Sequence, residues 1–182
     1  MYFLCSRTKW LQCEGYKAIF EEARRQAPYC SMAINWCYCE PWITAAGNSL
    51  ITYPVQTKPA YYAVQSALRP VLASARIPRF DWKAGECFHA ELWLLNDSPE
   101  AAQKSIQVSI CLNETEYPLL TWDTQTVAAG TNKIGPTINW ILPDTDATEF
   151  TLKLSTTDGA SSEYKLCYHP HQARTITRQM NV

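Results

Sequence analysis

The sequence predicts a mainly β fold: an antiparallel β-sandwich preceded by a short α/β segment. Three observations predict it. The first part of the chain carries helical periodicity around one apolar run. After Pro70 the apolar period drops to two and stays there. Turn-forming residues then recur between short extended runs, with no helical pattern among them.

The helical segment is expected over residues 9–26. Leu11, Gly15, Ile19, Ala23 and Ala27 form one stripe, widened by Cys13, Tyr16 and Phe20. Glu21, Glu22, Arg24 and Arg25 fall on the wetter side, and Pro28 stops the helix. Residues 31–39, Ser-Met-Ala-Ile-Asn-Trp-Cys-Tyr-Cys, read as a short strand, apolar on both faces, of the kind buried in a covered sheet. A loop over 40–57 leads to a second helix from Pro59, a residue that needs no amide partner in the first turn. Pro70 closes that helix.

Strands are then expected at Val71–Ile77, 88–95, 106–112, 119–127, 137–142, 149–154 and 164–168. In the second of these Phe88, Ala90, Leu92 and Leu94 point one way; in the third, Ile106, Val108, Ile110 and Leu112 do the same. Asn96-Asp97-Ser98-Pro99 turns the chain, Asn113-Glu114 heads a hairpin, and Asp158-Gly159 precedes the last strand. The expected organisation is residues 1–70 as helix–strand–helix, 71–171 as the sandwich, and 172–182 as a tail.

Composition narrows the function. The 182 residues carry 16 basic and 17 acidic side chains, a formal net charge of -1, so no field steers a polyanion and nucleic acid is not an expected partner. No apolar run approaches a membrane span, and none is expected. The opening residues are too short for a secretory signal's apolar segment, and localisation stays open. Eight cysteines sit mostly in apolar or periodic segments and are expected to be reduced core residues. Cys37 and Cys39 share a strand face, but they lack the second closely spaced pair of a zinc site. No metal or cofactor is expected, and His169 and His171 lack partners at ligand spacing. No nucleophile elbow or phosphate loop occurs.

Trp36-Cys37-Tyr38-Cys39-Glu40-Pro41-Trp42, followed by Thr52-Tyr53 and Thr57-Lys58-Pro59-Ala60-Tyr61-Tyr62, resembles the eighth strand and eighth helix of the catalytic barrel of family 2 glycoside hydrolases. That family holds β-galactosidases, β-mannosidases and β-glucuronidases. Gln12-Cys13-Glu14-Gly15-Tyr16 and Glu22-Ala23-Arg24-Arg25 are similar to its seventh barrel helix. Trp82-Lys83-Ala84-Gly85-Glu86 and Trp93-Leu94-Leu95-Asn96-Asp97 resemble the opening of the domain after the barrel. The likeness covers residues 9–100 well and runs more weakly to about 168. Two positions depart from the pattern: Cys39 stands where Asn is usual, and Thr52 where Asp is common.

The resemblance implies a fragment of a (β/α)8 (TIM) barrel joined to an immunoglobulin-like sandwich. It implies that both catalytic carboxylates of a retaining hydrolase lie ahead of residue 1, so no catalytic residue is assigned within this chain. Trp36, Glu40 and Trp42 are the expected substrate-binding residues in the complete enzyme, Trp36 as a sugar platform and Glu40 as an orienting group. The expected partners are the rest of the barrel, in the same chain or supplied in trans, and a β-glycoside or oligosaccharide. Two other roles are open: a carbohydrate-binding module built on Trp82, Trp93, Trp122 and Trp140, or a small subunit completing a split barrel.

Overall fold

The computed structural model describes residues 2–44 and 47–171, with side chains from Arg7 onward. The tail expected at 172–182 lies outside the described residues. Helix α1 runs over Tyr2–Arg25, beginning earlier than its periodicity implies. Arg24 and Arg25 fill its last turn, where cations complement the helix dipole. A short hairpin follows, β1 (Ile51–Thr52) on β2 (Gln56–Thr57), within the stretch expected as loop. Helix α2 spans Pro59–Ala67 with its proline in the first turn, as expected.

Two expectations for this front portion are corrected. Residues 31–37 form no strand. A strand needs a neighbour to take its amides and carbonyls, and among the described residues pairing is confined to the end of the stretch, where Cys39 forms an isolated parallel bridge to Ile51 through the carbonyl of Tyr38 and the amide of Glu40. The stripe expected to bury α1 also faces outward: Leu11 is 53% exposed and Ile19 59%. The helix lies between two neighbours and uses its other sides. Cys13, Tyr16 and Phe20 meet Leu50, Ile51 and the buried Ala60, Val64 and Ala67 of α2. Glu14, Glu21 and Arg25 are buried toward the β strands, where hydrogen bonding and ion pairing make burial tolerable.

Eight further strands follow: β3 (Val71–Arg76), β4 (Asp81–Lys83), β5 (Cys87–Asn96), β6 (Ser105–Leu112), β7 (Thr115–Asp123), β8 (Thr131–Ile141), β9 (Glu149–Thr156) and β10 (Ser161–His169). They form a five-stranded sheet, β4-β10-β9-β6-β7, and a three-stranded sheet, β3-β5-β8. The architecture is mainly β, and neither sheet closes on itself. It is not wholly antiparallel: the short β4, absent from the sequence reading, pairs parallel with β10.

The alternating residues of β5 and β6 face one shared core. Phe88, Ala90, Leu92, Leu94, Ile106, Val108, Ile110 and Leu112 are all no more than 2% exposed. Side chains removed from water this completely each contribute roughly 1.5–3 kcal/mol for the larger apolar types. The prolines respect the ladders: Pro118 and Pro136 lie on β7 and β8, each an edge strand, and Pro118 sits at the bulge opposite Ser109. Asn113 (φ 48°) and Glu114 (φ 63°) make the β6–β7 turn, and Gly159 (φ 84°) the β9–β10 turn.

Asn96 ties the start of the β unit together from a fully buried position. Its Nδ2 donates to the carbonyls of Glu100 (2.9 Å), Val127 (3.2 Å) and Ala128 (3.0 Å), while its Oδ1 accepts from the Ser98 amide at 3.1 Å. Contacts to α1 complete the assembly. Trp10 Nε1 donates to Lys165 O at 3.0 Å, and Asn132 Nδ2 donates to Arg24 O at 2.7 Å.

Candidate functional site

The stretch 29–43 leaves α1 with little to cover it. Met32, Ile34, Trp36, Trp42 and Ile43 are all well exposed, Trp36 at 80% and Trp42 at 67%. The Trp36–Cys37 peptide is cis.

Glu40 is the exception in this stretch, being only 7% exposed. Backbone pairing puts it there. Its amide donates to Ile51 O at 2.9 Å, and the Ile51 amide returns a bond to Tyr38 O at 3.0 Å. Lys58, just before α2, is placed by its own amide on Leu50 O at 2.9 Å. Its Nζ then lies 2.6 Å from Glu40 Oε1 and 2.9 Å from Ser49 Oγ, and Ser49 Oγ donates to the same Oε1 at 2.7 Å. Lys58 and Ser49 donate to Glu40 and hold its carboxyl below the usual glutamate range, with a smaller contribution from the Tyr53 amide. A carboxylate kept ionised, with one oxygen taken by two donors, is unsuited to give up a proton. Its chemistry here is to anchor the hairpin and the start of α2 beneath the exposed aromatics.

Of the three residues singled out in the sequence, Glu40 is thus drawn inward, while Trp36 and Trp42 stand in solvent. Ser49 and Lys58 were not foreseen as its partners. A lysine placed before a helix-starting proline, downstream of a lone glutamate, is the signal that could have found one of them. Tyr38 and Tyr61 pack with centroids 6.5 Å apart, and Tyr61 meets Tyr62 edge-on at 5.4 Å.

The tryptophans of the β unit have internal duties. Trp82 is buried against Phe88, with Arg79 stacked on its ring. Trp122 covers Gly135, Trp140 packs on Tyr117, and Trp93 Nε1 donates to Glu91 at 2.8 Å. The cysteines with described side chains are free, but none is fully buried, and Cys39 and Cys87 are exposed, against the expectation of core residues. Cys5 lies outside the described side chains. His169 and His171 each face a different aspartate, Asp81 and Asp144, both at 3.2 Å. Among the described residues no group of three or more His, Cys, Asp or Glu is arranged to hold a metal ion. No described helix is long and apolar enough to cross a membrane.

Comparison with known proteins yields a likeness of fold. No family model matches the chain, and no curated protein matches it in sequence. Among solved structures, the exo-chitosanase of Amycolatopsis orientalis aligns with 91% of this chain at 20% identity and a TM-score of 0.67. The β-D-mannosidase of Dictyoglomus thermophilum aligns with 84% at 21% identity and a TM-score of 0.58. In both cases the chain spans less than a fifth of the larger protein, 19% and 18% of their lengths.

Proposed function

We propose that this chain is the non-catalytic C-terminal region of a family 2 glycoside hydrolase, an enzyme cleaving the O-glycosidic bond of β-glycosides. In this reading residues 1–70 are the last part of the catalytic barrel. Residues 71–171 are an immunoglobulin-like sandwich that buttresses it, followed by a tail over 172–182. Trp36, Glu40 and Trp42 then lie at the substrate end of the complete barrel, with Glu40 held rigid by Lys58 and Ser49. The partner is the remainder of that barrel, in the same chain or in trans.

One observation carries the reading: the exposed apolar stretch 31–43, lacking a strand ladder over 31–37, is anchored at its far end by the buried Glu40–Lys58–Ser49 group. Such a surface is what a barrel strand and its flanks look like when their neighbours are elsewhere. The likeness of fold to parts of a β-mannosidase and an exo-chitosanase supports it, since the alignment includes most of this chain. A carbohydrate-binding module built on the β-unit tryptophans has less support, because those rings are spent on internal packing.

The test is amide hydrogen exchange of residues 31–43, alone and mixed with a family 2 glycosidase barrel lacking its own C-terminal region. Fast exchange that slows on mixing is the expected outcome, together with no turnover of aryl β-glycosides by the chain alone. Turnover by the isolated chain that disappears in Glu40→Gln would overturn the reading.

A further inference from the structure

The buried apolar residues of this chain gather in two clusters that do not merge. One, within residues 13–67, centres on Phe20, Ala60 and Val64. The other lies wholly within the β unit, from Val71 to Tyr168. Ala18 and Ile19 of α1 and Ile77, Pro78 and Phe80 of the β unit line an open cleft of about 910 Å³ between the two parts, where no shared core forms. Trp10 reaches Phe80 edge-on, with centroids 6.0 Å apart. Apolar attraction has no direction of its own, so contacts this sparse do not choose one seating for the helix.

The centre of the junction is polar and buried. Glu21 and Arg25, one turn apart on α1, meet Ser74 of β3 and Tyr164 of β10, and all four are buried. Ser74 Oγ (2.5 Å), Tyr164 Oη (2.8 Å) and Arg25 Nη2 (3.2 Å) donate to Glu21 Oε2. Arg25 Nη2 also donates to Ala75 O at 3.1 Å, and the Ala75 amide donates to Tyr164 Oη at 3.0 Å. The bonds run from Glu21 to Arg25, Ala75, Tyr164 and back, a circuit through three elements. Arg24 extends it: Nη2 donates to Pro70 O at 3.2 Å, and its carbonyl accepts from Asn132 Nδ2 at 2.7 Å.

Hydrogen bonds prefer particular angles as well as distances, so a circuit of this kind is satisfied in one arrangement only. Its net contribution to stability is small, because desolvating two charges offsets their attraction. A single polar residue at a buried position sets the register of coiled coils in the same way, at a cost in stability.

We infer that Glu21, Arg25, Ser74 and Tyr164 form an orientation lock. They select one seating of α1, and with it the front portion, on the β unit, and they add little to adhesion. The exposed stretch 29–43 is thereby held at one angle to the sheets. The lock joins two parts of this chain and works whatever covers that stretch.

The experiment measures amide residual dipolar couplings and urea midpoints of the full chain. In the wild type one alignment tensor is expected to fit α1 and the β unit together. Glu21→Met combined with Arg25→Met replaces the pair by apolar side chains of similar length. It is expected to leave the midpoint at or above the wild-type value, while the α1 couplings shrink and depart from the β-unit tensor. Glu21→Gln keeps an acceptor of the same shape and is expected to keep the single tensor. A role in filling space alone would not separate Gln from Met. Should the double methionine variant fail to fold, Ser74→Ala combined with Tyr164→Phe removes both hydroxyls and leaves the Glu21–Arg25 pair whole, and the same loss of α1 couplings is expected. A single tensor in whichever of these double variants folds, or the same loss of couplings in Glu21→Gln, would overturn the lock.

Discussion

Lys58 Nζ stands 2.6 Å from Glu40 Oε1, joining two residues whose side chains are otherwise far apart in sequence and both withdrawn from solvent. The pair links the end of the exposed aromatic stretch to the first turn of α2, and Ser49 closes the triangle. The pKa direction sets its pH behaviour. Glu40 is held below the usual glutamate range by Lys58 and Ser49, so its contribution to stability is present above the unfolded glutamate pKa. It is lost as pH falls through the lower folded value. Protection of the Glu40, Leu50, Ile51 and Lys58 amides, taken relative to their intrinsic exchange rates, is therefore expected to fall in acid before that of the β unit. In Lys58→Met the same amides should exchange quickly at neutral pH. Equal acid sensitivity in both proteins would show that the pair does not set it.

Glu21 behaves with the opposite sign. Burial raises its folded pKa above the unfolded value, so its contribution is fully present below the unfolded pKa. It declines as pH rises through the folded value. Urea unfolding of wild type against Glu21→Gln is expected to show the wild type losing ground between mildly acidic and neutral pH. Glu21→Ala is a different case. It strips Ser74, Tyr164 and Arg25 of a shared acceptor, and removing one member of a buried charged network costs about 3–5 kcal/mol.

Gly135 touches the face of Trp122. A Cβ built on Gly135 would sit 2.5 Å from the indole ring, far inside contact distance. Gly135→Ala is expected to destabilise the β unit by about 1–3 kcal/mol, since the ring must move from the gap between edge strands β7 and β8. Combining it with Trp122→Leu should cost less than the sum of the two single changes. Additive costs in a double-mutant cycle would show that the two sites are not coupled.

Trp36 and Trp42 are expected to be thermodynamically silent in the isolated chain. Each is mostly exposed, and surface changes away from special features stay within about ±0.5 kcal/mol. Trp36→Ala and Trp42→Ala should leave the urea midpoint unchanged, yet weaken slowing of exchange on mixing with the barrel. A large loss of stability from either would mean that the ring packs inside this chain.

The sequence by itself determined most of the β unit. Alternation in β5 and β6 named the core faces, because a strand's side chains point to opposite sides whatever its partner. Asn113-Glu114 and Asp158-Gly159 marked their turns through local backbone preference, and Pro59 marked α2. Only tertiary structure decided the rest. Periodicity gave α1 its apolar stripe, yet neighbours choose which side is covered, and here Glu14, Glu21 and Arg25 go inward while Leu11 and Ile19 stay out. Residues 31–37 have strand composition but no strand to pair with. The Glu40–Lys58–Ser49 group and the parallel β4–β10 pair bring together residues distant along the chain. Local preference follows from each residue and its neighbours in sequence; pairing and burial depend on what else occupies the adjoining space.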